Sequence, residues 1–205
     1  MRDAESTTQE QPRRRGRPKD PTVAARAKDA ALSLYHELGF EALGFDAVAR
    51  RASVGKAALY SRWDSVEELL IDALADTNSV PTDIDTGDVA EDMRVLARAM
   101  WDDYSGPYGS VTVRINLDAA VKDELAEPYQ QFVRANRLAA RRIVQRGIER
   151  GQLPADVDSL TLLNLLLGSV LLNALFGGGR SATPAEVDEV IDRTVGIILR
   201  GVSAP

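Results

Sequence analysis

One short segment combines basic, aromatic and small side chains in a way that suits contact with a charged polymer. It reads SVGKAALYSRWDSVEELL over residues 53–70, with Lys56, Tyr60 and Arg62 in its first half. Ammonium, phenol and guanidinium groups donate hydrogen bonds to phosphates and to base edges. The two alanines after the lysine would let a helix lie deep in a major groove about 12 Å wide and touch thymine methyl groups. The segment therefore predicts contact with double-stranded DNA, although the same charges also suit an ordinary solvated helix.

Two short predicted helices position this segment. FDAVARRA over 45–52 forms the first helix, SVG over 53–55 forms a tight turn, and residues 56–62 form the second helix. Together they make a helix-turn-helix, whose second helix enters the major groove. The residues of this unit that we predict to contact DNA are Phe45, Val54, Gly55, Lys56, Ala57, Ala58, Tyr60, Ser61 and Arg62.

A basic segment precedes these helices. Residues 1–62 hold 12 Lys and Arg against 8 Asp and Glu, whereas the rest of the chain holds 13 against 23, so the net charge of −6 hides a basic N-terminal part. Residues 1–20 lack an apolar period and predict a flexible basic arm. Within it, RGRP resembles the core of an AT-hook, and we predict that Arg15, Arg17 and Lys19 contact DNA, with the arginines in a narrow minor groove. A solubilising tail is the alternative interpretation.

The rest of the chain predicts helices, and the whole sequence an all-α fold. We predict the basic arm over 1–20, a helix-turn-helix DNA-binding domain over 21–66, and a helical regulatory and dimerisation domain over 67–205. One segment, 111–117, places apolar residues at every second position, which is the period of a strand. Because no other segment offers a strand for it to pair with, we predict a short helix there.

The C-terminal part carries more apolar surface than one chain can bury. Residues 159–176 are leucine-rich on nearly all sides, which suits a membrane span or a helix in a bundle that also dimerises. Asn164, Ser169 and Asn173 favour the bundle, and we expect no membrane contact. A final helix over 185–200 has an apolar stripe at Val187, Val190, Ile191, Thr194 and Ile198. We predict that these two helices from each of two chains close a four-helix interface in a homodimer.

No group of residues suits catalysis or a bound cofactor. Cysteine is absent, so a thiolate metal site is excluded. His36 is the only histidine, so a Ser-His-Asp site would have to use it, and nothing near it resembles a nucleophile elbow. GGGR over 177–180 lacks the pattern of a phosphate-binding loop. No apolar segment near the N-terminus indicates a secretory signal. We expect no enzymatic activity, no metal, no cofactor and a cytoplasmic location.

Aromatic and amide side chains in the middle helices suggest instead a site for an apolar effector with a few polar groups. Packing in an ordinary core is the alternative for each aromatic. The residues that we predict to line a ligand site are Trp101, Tyr104, Tyr108, Tyr129, Phe132, Asn136, Asn164, Asn173 and Phe176.

The segment over 39–70 resembles a known family. GFEALGFDAVARRASVGKAALYSRWDSVEELL has Gly followed by an aromatic, an apolar-acidic-Ala-apolar-Ala run, Lys-x-x-Leu-Tyr, and an aromatic before a Ser and Glu helix start. This pattern resembles the N-terminal DNA-binding domain of the TetR family of bacterial transcriptional regulators, and RGIERGQLPADVD over 146–158 resembles one subgroup of its regulatory domains. Two positions in the turn depart from the family pattern, which often has Gly at Ser53 and Ser or Thr at Gly55.

The resemblance implies a bacterial, nucleoid-associated regulator. It would act as a homodimeric repressor that a small, mainly apolar ligand releases from a palindromic operator. A DNA-binding regulator or architectural protein with no small-molecule ligand is the alternative.

Overall fold

The computed structural model describes residues 21–77, 80–81 and 83–202, and in these ranges the chain forms helices and no strand. The α-helices are α1 (Pro21–Leu38), α2 (Phe45–Ala52), α3 (Lys56–Tyr60), α4 (Val66–Ala75), α5 (Val89–Ser105), α6 (Gly109–Ala119), α7 (Asp123–Glu149), α8 (Ser159–Phe176) and α9 (Pro184–Val202). A short 3-10 helix, Phe40–Ala42, follows α1. The predicted all-α fold is confirmed. The basic arm, with Arg15, Arg17 and Lys19, lies outside the described residues.

Helices α1 to α4 form an N-terminal head around a small core. Leu59 of α3 is fully buried there, and Trp63 closes the core while its indole Nε1 donates to Asp72 at 2.9 Å. The start of α4 is fixed by Ser65, whose hydroxyl accepts from the Glu68 N–H at 3.1 Å, as its S-x-x-E sequence predicts. The head therefore holds its short α3 by packing one leucine inward.

A second cluster joins the head to the rest of the molecule, and we call it the bridging cluster. Helices α1, α4, α6 and α7 each contribute two large buried side chains to it: Leu32, Tyr35, Leu70, Leu74, Val111, Ile115, Leu125 and Tyr129. Helix α1 thus buries two faces, one in the head and one in this cluster. Leu38, the last residue of α1, is 59% exposed because the helix ends there and the chain turns at Gly39 with φ +85°.

The helix predicted over 111–117 is confirmed as part of α6. Val111 and Ile115 are buried in the bridging cluster, whereas Leu117 is exposed. Residues four apart share a face of an α-helix, so the alternation of apolar residues reflects one buried stripe and one exposed leucine.

Helices α5, α7, α8 and α9 enclose the largest core. Among the described residues, α8 is the one helix long and apolar enough to cross a bilayer by length and composition. It packs against α5, α7 and α9, and its buried residues are Leu162, Leu163, Leu166, Val170 and Ala174. Leu165, Leu172 and Phe176 of the same helix are exposed, the last by 74%.

The apolar stripe of the last helix, which we predict to lie in the dimer interface, belongs largely to the chain's own core. Val187, Ile191 and Ile198 are buried within one chain, against α5 and α8. The stripe in the sequence marks the apolar face of α9, and the chain buries that face in its own core. The apolar residue that α9 leaves in solvent is Ile197, which is 57% exposed.

Candidate nucleic-acid interface and ligand cavity

The turn between α2 and α3 contains one residue in a left-handed conformation. Ser53 has φ 53° and ψ 48°, and the N–H of Val54 donates to the carbonyl of Ala49 at 3.1 Å, which closes the end of α2. Gly55 has φ −71°, a value open to any residue, and a Cβ built on it meets no atom within 4 Å. The glycine of this turn therefore lies two residues after the position whose backbone favours glycine.

Helix α3 presents small and polar side chains to solvent on the side opposite the buried Leu59. Gly55, Lys56, Ala57, Tyr60 and Ser61 are exposed, whereas Phe45, Val54, Ala58 and Arg62 are half-buried. Arg62 donates to the Ala58 carbonyl at 2.8 Å at the C-terminal end of the helix. The helix-turn-helix thus brings together, at one corner of the head, the nine residues that we predict to contact DNA. Their role in DNA contact remains a prediction.

Two contacts orient the side chains on this surface. The Phe45 and Tyr60 rings meet edge to face with centroids 4.7 Å apart, which supports a tyrosine that is 60% exposed. Lys56 Nζ lies 2.5 Å from Asp46 Oδ1, and both side chains are more than half exposed. Without DNA, the ammonium group of α3 is therefore held by a carboxylate of α2.

A cavity of about 290 Å³ lies along α7, and we call it the α7 cavity. Its lining residues are Val80, Tyr104, Thr112, Asn116, Tyr129, Phe132, Val133, Asn136, Arg137, Ala140, Arg141, Leu160, Leu163, Asn164 and Leu167. Its volume is close to the lower end of the range of about 300–1,000 Å³ that is typical of small-molecule sites.

Two tyrosines occupy the inner end of the α7 cavity. Burial raises the pKa of Tyr104 to about 12, with the neighbouring Asp103 as the smaller cause. Burial likewise raises the pKa of Tyr129 to about 12, and its ring lies 6.1 Å from that of Phe132. Both phenols therefore stay neutral near pH 7 and offer an aromatic face with one hydroxyl each.

The structure brings five of the nine predicted ligand residues together in the α7 cavity, and these are Tyr104, Tyr129, Phe132, Asn136 and Asn164. Asn136 accepts from the Val80 N–H at 3.1 Å, which ties the segment before α5 to α7.

The other four predicted ligand residues lie elsewhere. Trp101 is buried in the main core, and Asn173 donates to the Ser169 carbonyl within α8. Phe176 is exposed at the end of α8. Tyr108 contacts α1, where its hydroxyl donates to Asp29 at 3.0 Å.

Sequence reasoning missed the basic part of the cavity. Arg137 and Arg141 lie one helical turn apart on α7, and the α6 residues Thr112 and Asn116 line the opposite wall. The arginines look like a solvated helix face in the sequence. A usable signal was the four-residue spacing of Tyr129, Val133, Arg137 and Arg141, since residues four apart are neighbours on one face of a helix. In the described part of the chain, no group of three His, Asp or Glu residues is arranged to hold a metal ion.

Comparison with known proteins assigns the chain to a family. Residues 29–73 match the model of bacterial regulatory proteins of the tetR family, and residues 83–194 match the tetracyclin repressor-like C-terminal domain. The HTH-type transcriptional regulator AqdR of Rhodococcus erythropolis is 33% identical over 147 residues, covering 71% of this chain and 70% of AqdR. The HTH-type transcriptional regulator YdeS of Bacillus subtilis is 28% identical over 167 residues, covering 80% and 84%.

Solved structures agree with this assignment. The TetR family transcription regulator SCO0332 superposes with a TM-score of 0.62 at 29% identity, covering 89% of this chain and 99% of that protein. FadR of Bacillus subtilis, solved in complex with stearoyl-CoA, superposes with a TM-score of 0.67 at 14% identity, covering 87% and 98%, and therefore shares the fold. The chain belongs to the tetR family of bacterial regulatory proteins and is a DNA-binding transcriptional regulator of the helix-turn-helix type.

Proposed function

We propose that this protein is a homodimeric repressor that leaves a palindromic operator when a small, mainly apolar ligand enters the α7 cavity. The observation that carries this proposal is the position of α6 between the cavity and the head. Thr112 and Asn116 line the cavity, whereas Arg114 and Asp118 hold α1. A ligand that favours one position of α6 would thereby favour one position of the head.

The contacts between α6 and α1 are polar, close and partly buried. Arg114 donates to the carbonyl oxygens of Tyr35 at 3.2 Å and His36 at 3.4 Å, and its guanidinium carbon lies 5.5 Å from the centre of the Tyr35 ring. The Tyr35 hydroxyl donates to Asp118 at 2.7 Å. These contacts support α6 and α1 moving together.

An exposed apolar face on α8 and α9 supports the homodimer. Leu165, Ile197 and Val202 line a groove between the two helices, together with Ser169 and Ile198. Gly168 of α8 and Gly201 of α9 have no atom within 4 Å of a built Cβ, which leaves room for another chain to approach closely. Apolar surface of this kind is what a two-fold interface buries. A dimer would present two α3 helices to two half-sites about one helical turn apart.

The fold is compatible with effector binding, because FadR of Bacillus subtilis, which shares it, was solved with stearoyl-CoA. The chemistry of a ligand of this protein follows from the residues that line the α7 cavity. We further propose that the protein acts in the cytoplasm, at the nucleoid.

The experiment selects DNA from a random pool and measures its affinity by fluorescence anisotropy, with and without compounds that raise the melting temperature. A palindromic selected sequence and a weaker complex with a stabilising compound are expected. A regulator without a ligand would bind the same DNA with an affinity that no stabilising compound changes.

Sedimentation tests the dimer separately. Ile197→Asp should shift the protein toward monomer, whereas Leu117→Asp, at another exposed apolar residue, should not. A wild-type protein that sediments as a monomer and binds a single half-site contradicts the proposal.

A further inference from the structure

The lining of the α7 cavity changes character from its inner end to its mouth. Tyr104, Tyr129 and Leu163 are buried at the inner end. The lining residues exposed to solvent include Arg137, Arg141 and the amide side chains of Asn116 and Asn164. No carboxylate lines the cavity. The site therefore offers apolar and aromatic surface inside and positive charge with amide groups at its entrance.

The two arginines have no ion pair with any described residue. Arg146 and Arg150 of the same helix both contact Asp85, whereas the exposed Arg134 and Arg142 likewise form no ion pair with a described residue. Hydrogen bonds from the Thr161 hydroxyl and from the N–H groups of Thr161 and Leu160 lower the pKa of Asp158, and the charge of Arg141 adds a smaller contribution in the same direction. This carboxylate is therefore already held at the start of α8.

Like charges one turn apart on a helix repel each other. Arg137 and Arg141 are such a pair, at the mouth of a cavity without acidic groups. An anion between them would relieve the repulsion, and the planar guanidinium groups suit a carboxylate or phosphate. A cationic ligand would meet the same two charges as a barrier.

We propose that the effector of the α7 cavity is an amphipathic anion, with a carboxylate or phosphate head at Arg137 and Arg141 and an apolar body against Tyr104, Tyr129 and Phe132. This inference rests on the proposed effector function of the cavity. It specifies the chemical class of the mainly apolar ligand, which should carry a negative charge at one end.

Isothermal titration of the full chain with probes that share a ten-carbon chain tests the head group: decanoate, decyl phosphate, decanol and decylamine. Decanoate, decyl phosphate or both should bind about tenfold more tightly than decanol. A factor of about ten in affinity is what one hydrogen bond to a charged group contributes. Decylamine should bind most weakly. The better of the two anions then identifies the head group.

The double variant Arg137→Gln, Arg141→Gln should lose this preference for an anion over decanol. The matched control Arg134→Gln, Arg142→Gln removes two exposed arginines of α7 that do not line the cavity, and should keep it. Equal affinity of decanol and both anions, or a preference that survives in the first variant, overturns the inference.

Operator anisotropy with the same probes separates this inference from the proposed function. Release of DNA by decanol as readily as by the anions would keep a ligand-responsive repressor and reject the anionic head. Anion binding that depends on Arg137 and Arg141 without any change in DNA affinity would keep the anionic site and reject its role in release.

Discussion

Tyr35→Phe removes one oxygen atom from the centre of the bridging cluster. Tyr35 is fully buried, and its hydroxyl donates to Asp118 at 2.7 Å. Burial, and after it this hydrogen bond, raise the pKa of Tyr35 well above its usual value, so the phenol is a proton donor throughout the neutral range. The variant leaves the Asp118 carboxylate, whose side chain is 23% exposed, with Arg114 at 4.0 Å and the charge of Lys122 nearby.

The size of the effect follows from the charge and the burial of this contact. A hydrogen bond to a charged group contributes about 1.5–3 kcal/mol, and we expect Tyr35→Phe to lower the free energy of unfolding by about 2 kcal/mol. For a chain of this length, that corresponds to a melting temperature lower by about 4–8 °C. Tyr108→Phe is the matched control, because it removes the same atom from an exposed contact with Asp29 at 3.0 Å. We expect Tyr108→Phe to lower the free energy of unfolding by about 0.5 kcal/mol.

Thermal and urea unfolding, followed by circular dichroism, measure both variants, and operator anisotropy measures their response to ligand. Tyr35→Phe should also reduce the difference in DNA affinity between the free and the ligand-bound protein, since α6 loses one of its contacts with α1. Equal stability of the two variants would refute the reasoning, because it would mean that the Asp118 contact is no stronger than an exposed one.

Three further substitutions test the turn, the DNA surface and the pH dependence. Ser53→Gly should raise the melting temperature by a few degrees, since a residue other than glycine in the left-handed conformation costs about 1 kcal/mol. A melting temperature below that of the wild type would contradict the idea that Ser53 is strained. Asp46→Asn should strengthen operator binding and steepen its salt dependence by about one phosphate contact, because Lys56 loses its ion pair with Asp46 and becomes available to the DNA. Unchanged anisotropy curves at two salt concentrations would contradict this. Burial, and after it Asp102, raise the pKa of Asp103 to about 6, so the folded protein holds a proton that the unfolded chain has lost. Stability should fall as pH rises from about 4 through 6, and Asp103→Asn should flatten that profile in urea unfolding.

The helix-turn-helix could be predicted because its signals are local. The spacing of Val48, Ala52 and Leu59 specifies which faces turn inward, and Ser65 with Glu68 specifies where the next helix begins. These signals act within one or two helical turns, so a single sequence contains them in full.

The bridging cluster and the mouth of the α7 cavity could not be predicted, because both depend on contacts between distant segments. Tyr35 lies on the face of α1 that the bridging cluster buries, and its partner Asp118 follows 83 residues later. Arg137 and Arg141 become notable when the structure shows that they line a cavity without a carboxylate in its lining. The apolar stripe of α9 that we predict to lie in the dimer interface is largely buried within one chain for a related reason: an amphipathic stripe shows that a face is buried, and the sequence does not say whether the same chain or another one buries it.

The bridging cluster also determines how this regulator can be recombined with others. Helices α1 and α4 each supply side chains to the head and to the bridging cluster, so a head removed after α4 would expose Tyr35, Leu70 and Leu74 to water. Elements that share a core unfold together, and we expect one cooperative transition for the whole subunit. A chimaera that gives this ligand cavity a new DNA specificity should therefore exchange only α2, the turn and α3, and retain the α1 and α4 residues that face α6 and α7.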